Sequence, residues 1–384
     1  MEPAGSTAKR RMERMQDIGN VAVILPPAGG DWETASRELA GLPVLRRIIL
    51  AALRGGVARF VIVGAGGQKS RLQSLLADLA LRVPVRWTED LDEDRGPVFF
   101  IRASTIFAPA ILTHLRAAWD GTAERVVPAP SEGPSTEESP GVSLAMPGGR
   151  GGRTHRCPIP TGTLYLDTST LPLAEAERRL ARTLGADNDT RFTRLCRRPV
   201  APVVLRLART PLTPTQVTFA WFALNFAGSL LLATGTYPLA VGGTALCFVA
   251  FLADRIDGML ARLKFLESPR GATVDLAFGF ARSLIILLAL AVAVSRIAGG
   301  DALLPGGLLI GGALIAIPLV YIAPSGPPAG RWLADTLGHG DWILILFVCA
   351  LLDRLTWFFW AAAVGANMYW MSLLAIRIWG RRHA

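Results

Sequence analysis

The sequence predicts an α/β soluble domain followed by an all-α polytopic membrane domain of about six transmembrane helices. Three observations predict it. Strand-like and helix-like segments alternate from residue 20 to about 190. Apolar runs long enough to cross a bilayer crowd into the half after about residue 215. Hydrophobic residues make up 51% of the 384, with a mean hydropathy of +0.38, high for a soluble protein.

Residues 1–19 are charged, lack an apolar core and predict a flexible terminus with no cleaved signal peptide. The α/β domain is placed at 20–190. NVAVILP opens it as a buried strand, followed by a PAGGD turn. The helix after it carries Leu45, Ile48, Ile49 and Leu53 at three- and four-residue spacings. ARFVIVGAGG is a strand running into glycines, SRLQSLLADLAL a helix, and VPVRWTED and GPVFFIRAST further strands. This alternation predicts a parallel sheet with helices on both faces, whose ligands bind at the carboxyl ends of strands. GAGG at 64–67 suits a strand-to-helix turn better than a phosphate cradle. Residues 129–153 are rich in proline, glycine and serine and predict a disordered insertion. GTLYLDTS and PLAEAERRLARTLG then resume the domain as strand and helix.

Residues 191–213 predict an amphipathic helix along the membrane surface. Val203, Val204, Leu205 and Leu207 supply apolar atoms, and Arg194 to Arg209 reach phosphates or water. The membrane domain is placed at 214–380, with spans at 215–233, 237–257, 272–297, 303–323, 341–356 and 357–378. LLDRL blurs the last boundary, so five spans with one tilted helix is the alternative. Gly235 to Pro238 predicts a tight turn and PSGPPAGR a longer loop.

The net charge is +10, and much of it is arginine beside the spans. Basic flanks predict a multi-pass protein with its soluble domain in the cytoplasm, facing anionic lipid. Nucleic acid is excluded as a partner, because no basic stretch interleaves aromatics and no reading helix is present. The four cysteines are scattered without a CxxC pair, which argues against a disulfide framework or a zinc site.

Chemistry concentrates in DRIDGMLARLKFLESPRGATVDLAFG, residues 254–279. Asp254 and Asp257 share a helical face with Gly258 and Ala261. The small residues leave room for a bulky polar ligand. SPRG turns the chain, and Asp275 follows on the next helix, so two antiparallel helices bring three carboxylates together. Near hydrocarbon those charges repel and are costly to desolvate. A divalent cation relieves both effects, and an all-oxygen site suits Mg2+ or Mn2+, with diphosphate oxygens completing the shell. The competing arrangement is a set of surface pairs with Arg255, Arg262 and Arg270.

The stretch resembles the signature of the CDP-alcohol phosphatidyltransferase family, DxxDGxxARx(8)GxxxDxxxD. Asp254, Asp257, Gly258, Ala261, Arg262, Gly271 and Asp275 occupy its positions, and Pro214 and Thr218 in PLTPTQVT resemble the family's entry to its first span. The resemblance covers roughly residues 195–378. It implies a six-helix fold and transfer of a phosphoalcohol unit from a CDP-alcohol to a second alcohol, with release of CMP. It implies that Asp254, Asp257 and Asp275 hold metal and diphosphate, and that Gly258, Ala261, Arg262, Gly271 and Thr218 serve the nucleotide. Arg206 or Arg282 would meet an acceptor phosphate, and a homodimer is possible. The sequence departs from the signature at its last position, where the family's fourth aspartate, by the resemblance the presumed general base and a ligand of a two-metal site, is Gly279. Glu267 and Asp353 are the remaining candidates to stand in.

The soluble half resembles the sugar-phosphate nucleotidyltransferases, with Gly41-Leu42-Pro43 matching their GxP segment. Fused to the membrane half, it resembles the bifunctional inositol-phosphate cytidylyltransferase/di-inositol-phosphate phosphate synthase arrangement. The resemblance places Ser104 where that family has a metal-binding aspartate, and PPAGGDW lacks its basic loop residue. Asp31 and Arg102 are weak substitutes, so a degenerate domain is expected here.

Overall fold

A computed structural model describes residues 18–27, 30–80, 83–89, 96–120, 123–129, 141–147, 153–160, 162–185, 191–322 and 342–382. The chain forms two compact units, Met1–Thr183 and Leu184–Ala384. The first is mixed β/α and the second is all-helical.

The first unit is built on a seven-stranded sheet: β1 (Val21–Leu25), β2 (Arg59–Val63), β3 (Val85–Thr88), β4 (Val98–Arg102), β5 (Arg125–Ala129), β6 (Val142–Ala145) and β7 (Thr154–Pro158). Their order is β7-β5-β6-β4-β1-β2-β3. The central strand β1 runs parallel to both neighbours, and Ala22, Val23 and Ile24 are buried along it, as a strand covered on both faces requires. The sheet is mixed, however, and not the wholly parallel one that the alternation predicts. β6 runs antiparallel to both β4 and β5. An antiparallel neighbour needs no helical crossover, so alternation does not reveal it. β6 also lies within the stretch 129–153 expected as a disordered insertion. All four of its residues are buried, hidden in the sequence by the proline, glycine and serine around them. Residues 130–140 and 148–152 of that stretch fall outside the described residues.

Helix α1 (Val44–Arg54) turns Leu45, Ile48 and Ile49 into the core, as its periodicity predicts, while Leu53 is only half-buried and Ala52 is buried in addition. Two polar devices, one buried and one half-buried, brace this unit. Arg47, on α1, donates to the Leu39 carbonyl at 2.9 Å, and Glu177 accepts from the Ala40 backbone at 2.9 Å. Burial lowers the Arg47 guanidinium to about 10, and the Glu177 charge partly offsets this. Arg116 clasps three carbonyls, those of Ile18, Gly55 and Gly19, at 3.0, 2.5 and 3.0 Å.

The second unit opens with α2 (Arg191–Ala208), which buries Cys196, Val200, Val204 and Ala208 at four-residue steps while Leu195 and Val203 stay exposed. It continues with α3 (Pro214–Leu232), α4 (Tyr237–Lys264), α5 (Pro269–Ala298), α6 (Leu303–Ile322), α7 (Trp342–Leu351) and α8 (Leu355–Arg382). Among the described residues four helices are long and apolar enough to cross a membrane: α3, α4, α5 and the Leu355–Ile376 part of α8. Two shorter apolar helices, Leu303–Ala316 and Trp342–Leu351, accompany them. The unit is therefore an integral, multi-pass membrane domain, with four full-length spans and two shorter apolar helices among the described residues where six spans are expected. LLDRL breaks the last pair of helices, and Asp353 there adopts φ +54°. The loop predicted at 324–331 lies outside the described residues.

Local chemistry sets the helix ends near the motif. Thr213 and Gln216 form a reciprocal cap on α3, with Pro214 at its first position. Ser268 caps α5 by accepting from the Gly271 backbone at 3.0 Å. Helix α3 packs against both α4 and α5. Its crossing with α4 is close: a Cβ built on Gly243 would lie 2.5 Å from the Gly228 carbonyl oxygen. Small residues permit that approach, which supplies the packing energy of helices in lipid.

Candidate metal centre

Asp254 and Asp257 lie in the last three turns of α4, and Asp275 in the second turn of α5. One carboxylate oxygen from each falls within 4.8 Å of the other two. The spacing of the motif thus does bring the three acids together. They differ in what holds them.

Asp257 is buried and fully engaged. Its Oδ2 accepts from the Thr218 hydroxyl at 2.6 Å and from the Trp221 indole N–H at 2.8 Å, and its Oδ1 accepts from the Gly258 backbone at 2.6 Å. Three donors fix the carboxylate's orientation. Asp254 is paired to guanidinium groups: Arg282 Nη1 lies 2.9 Å and Arg255 Nη1 3.1 Å from its Oδ2. Asp275 is exposed and has no hydrogen-bond or ion-pair partner among the described residues. The cluster therefore offers a rigid buried ligand, a charge-paired ligand and an open one.

The site draws on three helices, not on the two that the sequence suggests. Thr218 and Trp221 come from α3, three residues apart and so on one face. Thr218 matches the family's entry segment. Trp221 was missed, and its only signal in the sequence is that spacing from Thr218. The aromatic wall continues through Phe222 and Phe278, whose ring centroids are 4.7 Å apart. The Arg282 guanidinium lies 5.4 Å from the Trp221 ring and 5.8 Å from the Phe251 ring. That of Arg255 lies 4.5 Å from Phe251. These faces help hold the two cations in place.

The other residues singled out from the sequence are distributed as follows. A Cβ on Gly258 would meet nothing within 4 Å, so the backbone there is open to a ligand. Gly271 sits tightly in its cap, 3.1 Å from Ser268 Oγ if given a Cβ. Ala261 is half-buried on α4. Arg262 turns elsewhere: it donates to the Leu184 carbonyl at 2.6 Å and approaches Glu267 at 3.7 Å. Arg206 is exposed on α2, and none of the described contacts joins it to the three acids. Arg282 is joined to them, through Asp254.

A Cβ on Gly279 would also meet nothing within 4 Å. The signature's last position faces free space, and among the described residues no fourth acid joins the cluster. Glu267 is turned toward Arg262. Asp353 lies at the wrong end of α4. The Tyr237 hydroxyl, at the start of that helix, donates to the Leu351 carbonyl at 3.0 Å, and the 17 residues from Tyr237 to Asp254 span about 26 Å of helix.

The donor set fits a hard divalent cation: three carboxylates within 4.8 Å of one another, one of them exposed, with no nitrogen or sulfur ligand among the described residues.

In the soluble unit, Ser104 is fully buried, and its carbonyl accepts from the Thr168 backbone and hydroxyl at 2.8 and 2.7 Å. Its own Oγ has no hydrogen-bond partner among the described residues. Asp31 is exposed and accepts from the Glu33 backbone at 2.8 Å. Beside it, Trp32 is buried and donates to the Gly64 carbonyl at 2.9 Å, tying the first loop to the GAGG turn.

Comparison with known proteins agrees with the family resemblance. Over 107 residues the chain is 40% identical to the bifunctional IPC transferase and DIPP synthase of Rubrobacter xylanophilus, covering 27% of this chain and 24% of the relative. The match thus spans about a quarter of the relative's length. No protein-family model matches the chain. Among solved structures, HddC from Yersinia pseudotuberculosis aligns with 41% of this chain and 98% of its own at 11% identity, with a TM-score of 0.30, too low to bear on the fold.

Proposed function

We propose that the membrane unit transfers a phosphoalcohol group from a CDP-alcohol to an acceptor alcohol and releases CMP, in the synthesis of a phospholipid or polyol phosphodiester. The observation that carries this reading is the convergence of Asp254, Asp257 and Asp275 within 4.8 Å. The homology to a bifunctional IPC transferase and DIPP synthase supports it. A bound divalent cation supplies charge neutralisation for the diphosphate and polarises the bond to be cut. The chain's own residues supply the frame. Thr218 and Trp221 hold Asp257 still, Arg255 holds Asp254 with the Arg282 charge beside it, and Asp275 is left open toward an incoming group. The open backbone at Gly258 leaves space for a nucleotide. The soluble domain faces the cytoplasm in this reading, and it serves docking or stability in place of nucleotidyl transfer.

A second reading has its own support. Gly279 cannot accept the proton of an attacking hydroxyl, and no other acid among the described residues joins the cluster. The unit would then bind a CDP-alcohol or a partner without turnover.

One experiment separates the two. The purified protein, with Mg2+ or Mn2+, is given labelled CDP-diacylglycerol or CDP-inositol and candidate alcohols, and CMP release is followed. Turnover lost in Asp254→Asn supports the transferase. CDP binding without turnover, with turnover appearing in Gly279→Asp, supports the second reading.

A further inference from the structure

We infer that Arg282 takes the place of a second cation, so that the three aspartates hold a single divalent ion beside a fixed guanidinium. The inference rests on the cluster being a metal site, as proposed above, and concerns how many ions it holds.

Four observations carry it. First, Arg282 is 7% exposed, deep for a residue type seldom buried without a full set of partners. Second, its contact with Asp254 at 2.9 Å is a close charge pair and not a well-directed hydrogen bond. Both Nε and Nη1 are buried with no hydrogen-bond acceptor among the described residues. A guanidinium kept only to brace a carboxylate would be expected to meet it with aligned N–H groups. Third, charge decides stoichiometry. Three carboxylates beside two guanidinium groups, those of Arg255 and Arg282, leave one net negative charge. One divalent ion turns this to a single positive charge before any substrate binds. A second ion would leave three positive charges in a low-dielectric region, with no fourth carboxylate to hold it. Fourth, the position that would supply that fourth carboxylate is Gly279, one helical turn from Arg282 on α5. A ligand is missing and a buried cation stands one turn away.

The test is a titration of the purified full chain in detergent micelles with Mn2+, with free ion read by electron paramagnetic resonance. The wild type is expected to bind one Mn2+ per chain, and Asp257→Asn to lose it. Arg282→Gln is expected to bind one Mn2+ at least tenfold more tightly, because the competing positive charge is gone. Arg282→Lys stays near the wild-type affinity. Gly279→Asp combined with Arg282→Gln is expected to bind two. A bracing role predicts the opposite sign for Arg282→Gln, namely weaker binding, and that result overturns the inference. Two ions per wild-type chain also overturn it, whether or not the glutamine variant folds. No binding at all overturns both this inference and the metal-site reading. One bound ion without CMP release overturns only the transfer reading.

Discussion

The two units treat polar residues in opposite ways. In the membrane unit, Asp257 is buried at considerable cost and given three donors, and its two neighbouring acids converge on it. In the soluble unit, the position expected to carry a metal-binding acid is Ser104, sealed in the core with its hydroxyl unpartnered among the described residues. The buried charge of the soluble unit, Arg47 near Glu177, is spent on bracing a loop against a helix. A carboxylate kept in an apolar setting with an open neighbour such as Asp275 is the arrangement on which the proposed ligand site rests. A buried polar group satisfied by backbone marks packing.

The contrast can be broken most forcefully at the metal centre. Asp257→Asn removes a ligand charge and should lower CMP release on the order of 10³-fold, the scale of losing one preorganised electrostatic group. Near wild-type release in that variant would make the two units alike. In the first unit the matching change is Glu177→Ala, which takes the acceptor away from the buried Ala40 backbone N–H and a carboxylate charge away from Arg47. It should cost about 1–3 kcal/mol of that unit's stability, read as a lowered melting midpoint, while Mn2+ binding stays unchanged. Trp221→Phe keeps the ring and deletes one donor to Asp257. Loss of such a supporting contact should weaken Mn2+ binding about 10–100-fold, and an unchanged affinity would mean that Asp257 needs no orienting. The smallest effect belongs to Asp31→Ala, an exposed acid bonded only to a nearby backbone N–H. Its stability should move by no more than about 0.5 kcal/mol, with no change in nucleotide or metal binding. A marked loss of either would return a ligand role to the soluble unit.

The legible parts of the molecule were those written in short-range spacing. The aspartate cluster was legible because 254, 257 and 275 lie on two helices joined by a short turn, where helix geometry fixes what converges. Helix α1 was legible through periodicity and strand β1 through its short apolar run. What escaped depends on partners far apart in the chain. Strand β6 is defined by β4 and β5 and sits in a composition typical of loops. Trp221 became visible only when α3 was found to pack against both α4 and α5. The family resemblance assigns Arg282 to an acceptor phosphate. Its place against Asp254, 28 residues earlier in the chain, required knowing which face of α5 turns inward.

The most direct test of the central claim is anomalous diffraction from crystals of the full chain soaked in Mn2+. The account predicts a peak between the carboxylates of Asp254, Asp257 and Asp275, at about the 2.0–2.2 Å reach of a hard divalent ion from oxygen. An empty cluster at saturating Mn2+, or a peak only at other acids, would contradict it.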